Sequence, residues 1–204
     1  YPSDASQGKV LAEAAAAKGW KKVAFLQEQT DYALGVYKAF SARFEELGGT
    51  IAKEEVPSAT TDFRSILTKL KAAKADALFI DPQTLPVAER VFKQMQDLKW
   101  KPVLLVNDVI GGAPETLSAY KDVMEGALTA EFTADPNNPK FTKLLADYKA
   151  KYGVDLLYGT SYGPTEYDAV YLIKAGIEAV GNNGEKFAAW SRTVKDWEGA
   201  SGKT

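Results

Sequence analysis

Short apolar runs and longer stretches of helical periodicity alternate along the first two thirds of the chain. The runs Lys22–Leu26, Thr50–Val56, Asp76–Ile80, Pro102–Val106 and Ala127–Phe132 are strand-sized. They begin roughly every 25 to 28 residues, the length of a strand, a loop and a crossover helix together. The inner runs (Val23-Ala24-Phe25-Leu26, Ala77-Leu78-Phe79-Ile80, Val103-Leu104-Leu105-Val106) carry no polar alternation. Strands buried on both faces of a parallel sheet read this way. Between them, Thr30 or Asp31 can cap a helix whose inner stripe is Ala33, Tyr37, Phe40, Phe44 and Leu47, stopped by Gly48-Gly49. Thr61 or Asp62 can cap the next, with Phe63, Ile66, Leu67 and Leu70 on one face. Pro86 fits the first turn of a third helix that buries Val87, Val91, Met95 and Leu98. Ser6 to Lys18, rich in alanine, is predicted helical. Residues 1–132 therefore read as an α/β domain with a doubly wound, open parallel sheet.

After Phe132 the pattern changes. Ala134-Asp135-Pro136-Asn137-Asn138-Pro139 is a turn-rich connector. Helices are predicted near Lys140–Tyr152, Pro164–Val180 and Glu185–Trp197, without a strand between them, so their apolar faces need a partner surface. The small polar tail from Gly199 to Thr204 reads as a chain cut rather than finished.

Composition removes much chemistry. Cysteine and histidine are both absent, which excludes thiol nucleophiles, Ser-His-Asp triads, imidazole bases, thiolate or imidazole zinc sites and disulfides. A net charge of −2 gives no bias towards nucleic acid. No apolar stretch approaches the roughly 20 residues of a membrane-spanning helix, and Tyr1-Pro2-Ser3-Asp4 is not a signal peptide. No Gly-x-Gly-x-x-Gly follows the first strand and no P-loop is present, so no nucleotide cofactor is expected; any metal would need carboxylate and carbonyl oxygens alone, and none is expected.

Ligands of open parallel sheets bind outside the carboxyl ends of the strands. That rule selects Gln27 to Tyr32 after the first strand, Asp81 to Thr84 after the third, and Asn107 to Gly112 after the fourth. Tyr32 is an aromatic with a polar tip at a helix N-terminus, and it either faces a ligand or packs on a neighbouring helix. Asp108 either pairs with a ligand ammonium group or makes an Asx-turn before Gly111-Gly112. Asp81 fits a helix cap or loop hydrogen-bonder ahead of Pro82. A phosphoryl acceptor there would need an acidic cluster ending the first strand. Tyr158, Tyr162 and Tyr167 with Asp168 read as helix-face packing, and Trp20 and Trp100 as structural.

Five segments carry a resemblance over nearly the whole chain: Pro2-Ser3-Asp4-Ala5-Ser6-Gln7, Gly19-Trp20-Lys21-Lys22-Val23-Ala24, Thr30-Asp31-Tyr32-Ala33-Leu34-Gly35, Thr61-Asp62-Phe63-Arg64 and Tyr167-Asp168-Ala169-Val170. With them the chain resembles the type I periplasmic solute-binding proteins of the leucine/isoleucine/valine-binding class. The resemblance implies two α/β lobes closing on a small solute, without covalent chemistry. It places residues 1–132 as the second lobe and 133–204 as a crossover with helices that cover the first, whose strands and signal peptide lie outside this chain. It implies a periplasmic receptor, not an enzyme, that hands an amino acid or other small carboxylate to an ABC permease of the inner membrane. The expected ligand contacts are Asp31, Tyr32, Gln83, Thr84, Asn107 and Asp108; where some members have tyrosines in the second loop, this chain has Gln83, Thr84 and Leu85. Two readings compete: a ligand-sensing domain of a receptor or regulator with the same fold, and an enzyme using Asp81 and Asp108 as acid and base.

Overall fold

The computed structural model describes residues 3–156 and 160–203. The chain divides into two compact units, Pro2–Glu131 and Phe132–Thr204. The first alternates α1 (Asp4–Ala17), β1 (Lys22–Glu28), α2 (Asp31–Glu46), β2 (Thr50–Val56), α3 (Arg64–Ala72), β3 (Ala77–Asp81), α4 (Leu85–Asp97) and β4 (Leu104–Val106). Three short helices, α5 (Asp108–Gly111), α6 (Pro114–Ala119) and α7 (Lys121–Met124), then lead to β5 (Leu128–Thr129). The sheet is parallel throughout in the order β2-β1-β3-β4-β5.

The uninterrupted apolar runs arise because successive residues enter opposite cores. Val23, Phe25, Phe79 and Leu105 face α1 and α2, where they meet Leu11, Ala12, Ala15, Val36, Phe40 and Phe44. Ala24, Leu26, Leu78, Ile80, Leu104 and Val106 face the other way, onto Leu67 and Leu70 of α3 and Val91 and Met95 of α4. Trp20 and Trp100 pack against these cores from the loops ahead of β1 and β4. Thr30 caps α2 as expected, its hydroxyl accepting the Ala33 N–H at 3.2 Å. Pro86 lies in the first turn of α4.

Several boundaries differ from the sequence reading. Strand β1 runs on through Gln27 and Glu28, and β3 through Asp81, so these polar residues belong to the sheet and not to its loops. Helix α3 starts at Arg64 with Phe63 as its cap; Asp62 instead accepts the Arg64 N–H at 3.1 Å and grips its guanidinium at 2.6 and 2.9 Å. The fifth strand shrinks to two residues. Phe132 leaves the sheet to set its ring edge-on against Tyr162, with centroids 5.0 Å apart.

The second unit holds α8 (Pro139–Tyr152), α9 (Tyr162–Val180) and α10 (Gly184–Ser191). Asn138 and Asn183 cap α8 and α10. Helix α10 ends at Ser191, before Val194 and Trp197, because the Trp190 carbonyl accepts the Thr193 N–H and hydroxyl in a tight turn. Among the described residues no helix is long and apolar enough to cross a membrane.

One surface carboxylate ties two strands together at the amino end of the sheet. Asp76 accepts the N–H groups of Lys21 at 2.7 Å and Lys22 at 2.9 Å, and these bonds hold its carboxyl below the usual range. Because its folded-state pKa is depressed, its contribution is present above the unfolded value near 3.9 and is lost as pH falls through the folded one. Replacing Asp76 by alanine is expected to cost about 0.5–1.5 kcal/mol at neutral pH. Urea unfolding should show that difference shrinking as pH falls below about 4; a difference independent of pH would count against this role.

Candidate functional site

With the strand order β2-β1-β3-β4-β5, the chain reverses its winding between β1 and β3, and the crevice of such a sheet opens outside the carboxyl ends there. Three elements bring polar side chains to that edge. Helix α1 runs back along the sheet, so its first turns carry Gln7 to the carboxyl end, where the Gln7 amide donates to the Ala130 carbonyl at 3.0 Å. Helix α2 begins at the end of β1 and presents Tyr32 in its first turn. Helix α5 begins immediately after β4, with Asp108 as its first residue.

These positions converge. The Tyr32 hydroxyl lies 2.6 Å from Asp108 Oδ1 and 3.1 Å from Gln7 Oε1. Its proton goes to the carboxylate, the shorter and charged acceptor. Asp108 is only 5% exposed and Tyr32 is half-buried, so the pair stands at the border between core and solvent. The Asp108 carboxylate is thus engaged across the sheet edge with Tyr32.

The loop after β3 is fixed from below and from the side. Glu28 Oε2 accepts the Gln83 N–H at 2.7 Å, linking the ends of β1 and β3. The Asn107 amide donates to the Pro82 carbonyl at 2.6 Å and to Asp81 Oδ1 at 3.0 Å. Gln83 and Thr84 are left exposed on the loop so held. Asn107 itself has no exposed surface and acts as a brace beneath the edge. Asp31 turns to another place: it lines a shallow groove of about 580 Å³ over β1 and β2, with Gln27, Gln29, Thr30, Leu34 and Glu55. The six predicted positions thus separate into the Tyr32–Asp108 pair, the Gln83–Thr84 loop, a buried Asn107 and a peripheral Asp31.

Asp81 is also fully buried, and burial drives its carboxyl well above the usual range. The Asn107 hydrogen bond opposes this, while Asp108, Asp4 and Glu28 add to it. Among the described residues no group of three or more acidic side chains is arranged to hold a metal ion. A side chain at Gly111 would meet Thr129 Oγ1 at 2.4 Å, so α5 lies directly against β5.

Gln7 escaped the sequence reading as a site residue, and so did the buried engagement of Glu28. The signal for Gln7 was the fold itself, since a helix preceding the first parallel strand must begin at the carboxyl edge. In the second unit the tyrosines pack as expected: Tyr162 on Phe132, and Tyr167 on Tyr171 with centroids 4.7 Å apart. Tyr158 lies outside the described residues. Asp168 accepts the N–H groups of Ala200 at 2.6 Å and Ser201 at 2.7 Å and so ties the last turn to α9. A hollow of about 540 Å³ beside it is lined by Lys140, Lys143, Tyr171 and Trp197.

The family profile described as periplasmic binding protein matches residues 1–204. The chain belongs to the periplasmic binding protein family. Solved structures of similar proteins agree with the fold. A leucine-binding protein from Thermotoga maritima superposes with a TM-score of 0.84 and 28% identity, over 98% of this chain and 57% of its own. The branched-chain amino acid transporter substrate-binding protein of Streptococcus pneumoniae, in complex with isoleucine, gives 0.77 and 25% over 98% and 57%. A solute-binding protein of an ABC transporter from Rhodopseudomonas palustris, in complex with 4-hydroxybenzoate, gives 0.76 and 28% over 98% and 55%. Comparison with curated protein sequences finds no significant match. This periplasmic binding protein chain spans 55–57% of the length of these relatives. Its sheet and crossover helices are those of a type I lobe, as the sequence resemblance implied.

Proposed function

We propose that the chain is the larger part of an extracytoplasmic solute-binding receptor that captures a small amino acid for an ABC importer. The observation that carries this reading is the Tyr32–Asp108 pair, an aromatic hydroxyl holding a carboxylate at the carboxyl edge of the sheet. A nearly buried carboxylate is a natural partner for an α-ammonium group, since charge-assisted hydrogen bonds at such a border are among the strongest available. It disfavours benzoates, which bring a second negative charge and no cation. The relatives with leucine and isoleucine in their descriptions are therefore better guides to the ligand than the 4-hydroxybenzoate binder. The exposed Gln83 and Thr84 would meet the ligand side chain across the Tyr32 ring.

Binding is a closure of two lobes in which ligand contacts from both sides shift the population towards the closed form. The other lobe would correspond to the length by which the relatives exceed this chain. Helix α9 suits a covering role over it: Val170, Ile173 and Ile177 are 65%, 49% and 43% exposed, an apolar face that a sheet would bury. The partner receiving the solute is the importer's inner-membrane permease, and no covalent step is involved.

Calorimetric titration of the full-length protein with leucine, isoleucine, valine and 4-hydroxybenzoate tests the reading. An aliphatic amino acid should bind and be released unchanged. Asp108→Asn should weaken it by about 2–5 kcal/mol, whereas Tyr32→Phe, which keeps the ring, should cost about 0.5–1.5 kcal/mol. Tight binding of the benzoate alone, unaffected by Asp108→Asn, would sink the amino-acid assignment.

A further inference from the structure

Beneath the cleft edge lies a row of buried polar side chains. Gln27 and Asp81 stand opposite each other in the register of β1 and β3, on the face that carries Phe25 and Phe79. Asn107 follows Leu105 at the same parity on the next strand. All three are buried, at 2%, 0% and 0% exposure. Their donors are few. The Asn107 amide serves Asp81 Oδ1 and the Pro82 carbonyl, and the Gln27 amide reaches only the Glu28 carbonyl at 3.4 Å. Three acceptor oxygens of this row have no donor among the described residues: Gln27 Oε1, Asp81 Oδ2 and Asn107 Oδ1.

The amide orientation of Asn107 is fixed, because turning it over would place its oxygen against two other oxygens. Among the described residues, its surroundings offer an ionised Asp81 no cation. The charged groups acting on it are Asp4 of α1, Glu28 of β1 and Asp108 of α5, all acidic, and the Tyr32 hydroxyl of α2 is engaged with Asp108. An unpaired buried carboxylate among like charges is among the costliest arrangements a core can hold. A proton on Oδ2 removes the charge and adds a donor to a row that is short of them.

We propose that Asp81 is carried as a neutral carboxylic acid at neutral pH, and that with Asn107 it positions the Pro82–Leu85 loop. The proton lets Asp81 Oδ1 accept from the Asn107 amide without a buried charge. That amide in turn holds the Pro82 carbonyl, and the loop leaves the sheet with its direction set. That this loop meets a solute rests on the function proposed above; the protonation and the bracing do not. Asp81 and Asn107 are thus positioning residues, screened from the ligand by the loop they hold.

Three measurements on the full-length protein test this. In the unaltered protein, the Asp81 side-chain carboxyl carbon should show the chemical shift of a protonated acid at pH 7; the shift of an ionised carboxylate would overturn the proposal. Thermal unfolding of Asp81→Asn beside the unaltered protein supplies the second reading. A folded-state pKa raised above the unfolded value means stability that is complete at low pH and declines as pH rises towards the raised value. Asparagine has no proton to lose, so the variant should gain on the parent steadily from about pH 4 upward. A difference that stays constant over that range would count against it. Third, amide exchange at Gln83 should be unchanged in Asp81→Asn, which keeps a donor at Oδ2, and about tenfold faster in Asp81→Leu. Equal acceleration in both variants would remove the bracing role. None of the three requires the ligand, so failure of the solute assignment would leave them readable.

Discussion

Phe79→Ala is expected to lower the free energy of unfolding by about 3–5 kcal/mol, the range for deleting a fully buried aromatic ring. Phe79 has no exposed surface and sits on the central strand β3. Its ring packs against Phe25, with centroids 4.4 Å apart, and edge-on against Phe40 at 5.1 Å. The strands on either side and α1 and α2 above leave little room for collapse, so the cavity should persist. Urea denaturation would read the change as a lower midpoint at unchanged slope. A loss under about 1 kcal/mol would mean that the aromatic cluster relaxes far more freely than close packing implies. The same substitution should disturb the cleft edge, because Asp81 follows on the same face two residues later.

Gly8→Val should cost about as much, by overpacking instead of a void. A Cβ at Gly8 would lie 2.5 Å from the Val36 carbonyl oxygen, 2.8 Å from Phe40 N and 2.9 Å from Ala39 Cβ. Two of those three atoms are backbone of α2 and cannot rotate away, so α1 and α2 must move apart. Overpacking typically costs about 1–3 kcal/mol and more when the backbone must shift; we expect about 3 kcal/mol or more here. Gly184→Ala is the control, since nothing lies within 4 Å of a Cβ there, and it should stay within about 0.5 kcal/mol. Should Gly8→Val prove as mild as the control, the close approach of the two helices would be wrong. Separation of the helices would also part Gln7 from Tyr32; under the function proposed above, ligand affinity should then fall along with stability.

Much of this architecture was legible because burial leaves a plain mark on sequence. Val-Ala-Phe-Leu and Ala-Leu-Phe-Ile can be uninterrupted only where both faces of a strand are covered. The rule that ligands gather at carboxyl ends selected three loops that include Tyr32 and Asp108, which the fold brings to 2.6 Å. The choice between Asn107 and Asp108 was not legible, since it depends on which residue continues the strand's alternation into the core. Asn107 does, two residues after Leu105, while Asp108 opens a helix. Nor could Asp31 be separated from Tyr32 by composition alone. In the first turn of α2 neighbouring residues point about 100° apart, enough to send one to the groove over β1–β2 and the other to Asp108. The fifth strand was overestimated because Phe132 carries a strand-like signature yet spends its ring on Tyr162.

The bond between Tyr32 and Asp108 joins residues 76 positions apart, whereas Gln7 and Tyr32 are separated by 25. During synthesis from the amino end, α1, β1 and α2 can assemble their shared core as soon as they have emerged, with Gln7 and Tyr32 already in place. The carboxylate that completes the pair arrives only after β4, when three further strands and two further helices have been laid down. Closing so long a loop is an entropic cost met late. The nascent chain thus acquires one shoulder of the edge first and completes that edge only when most of its sheet exists.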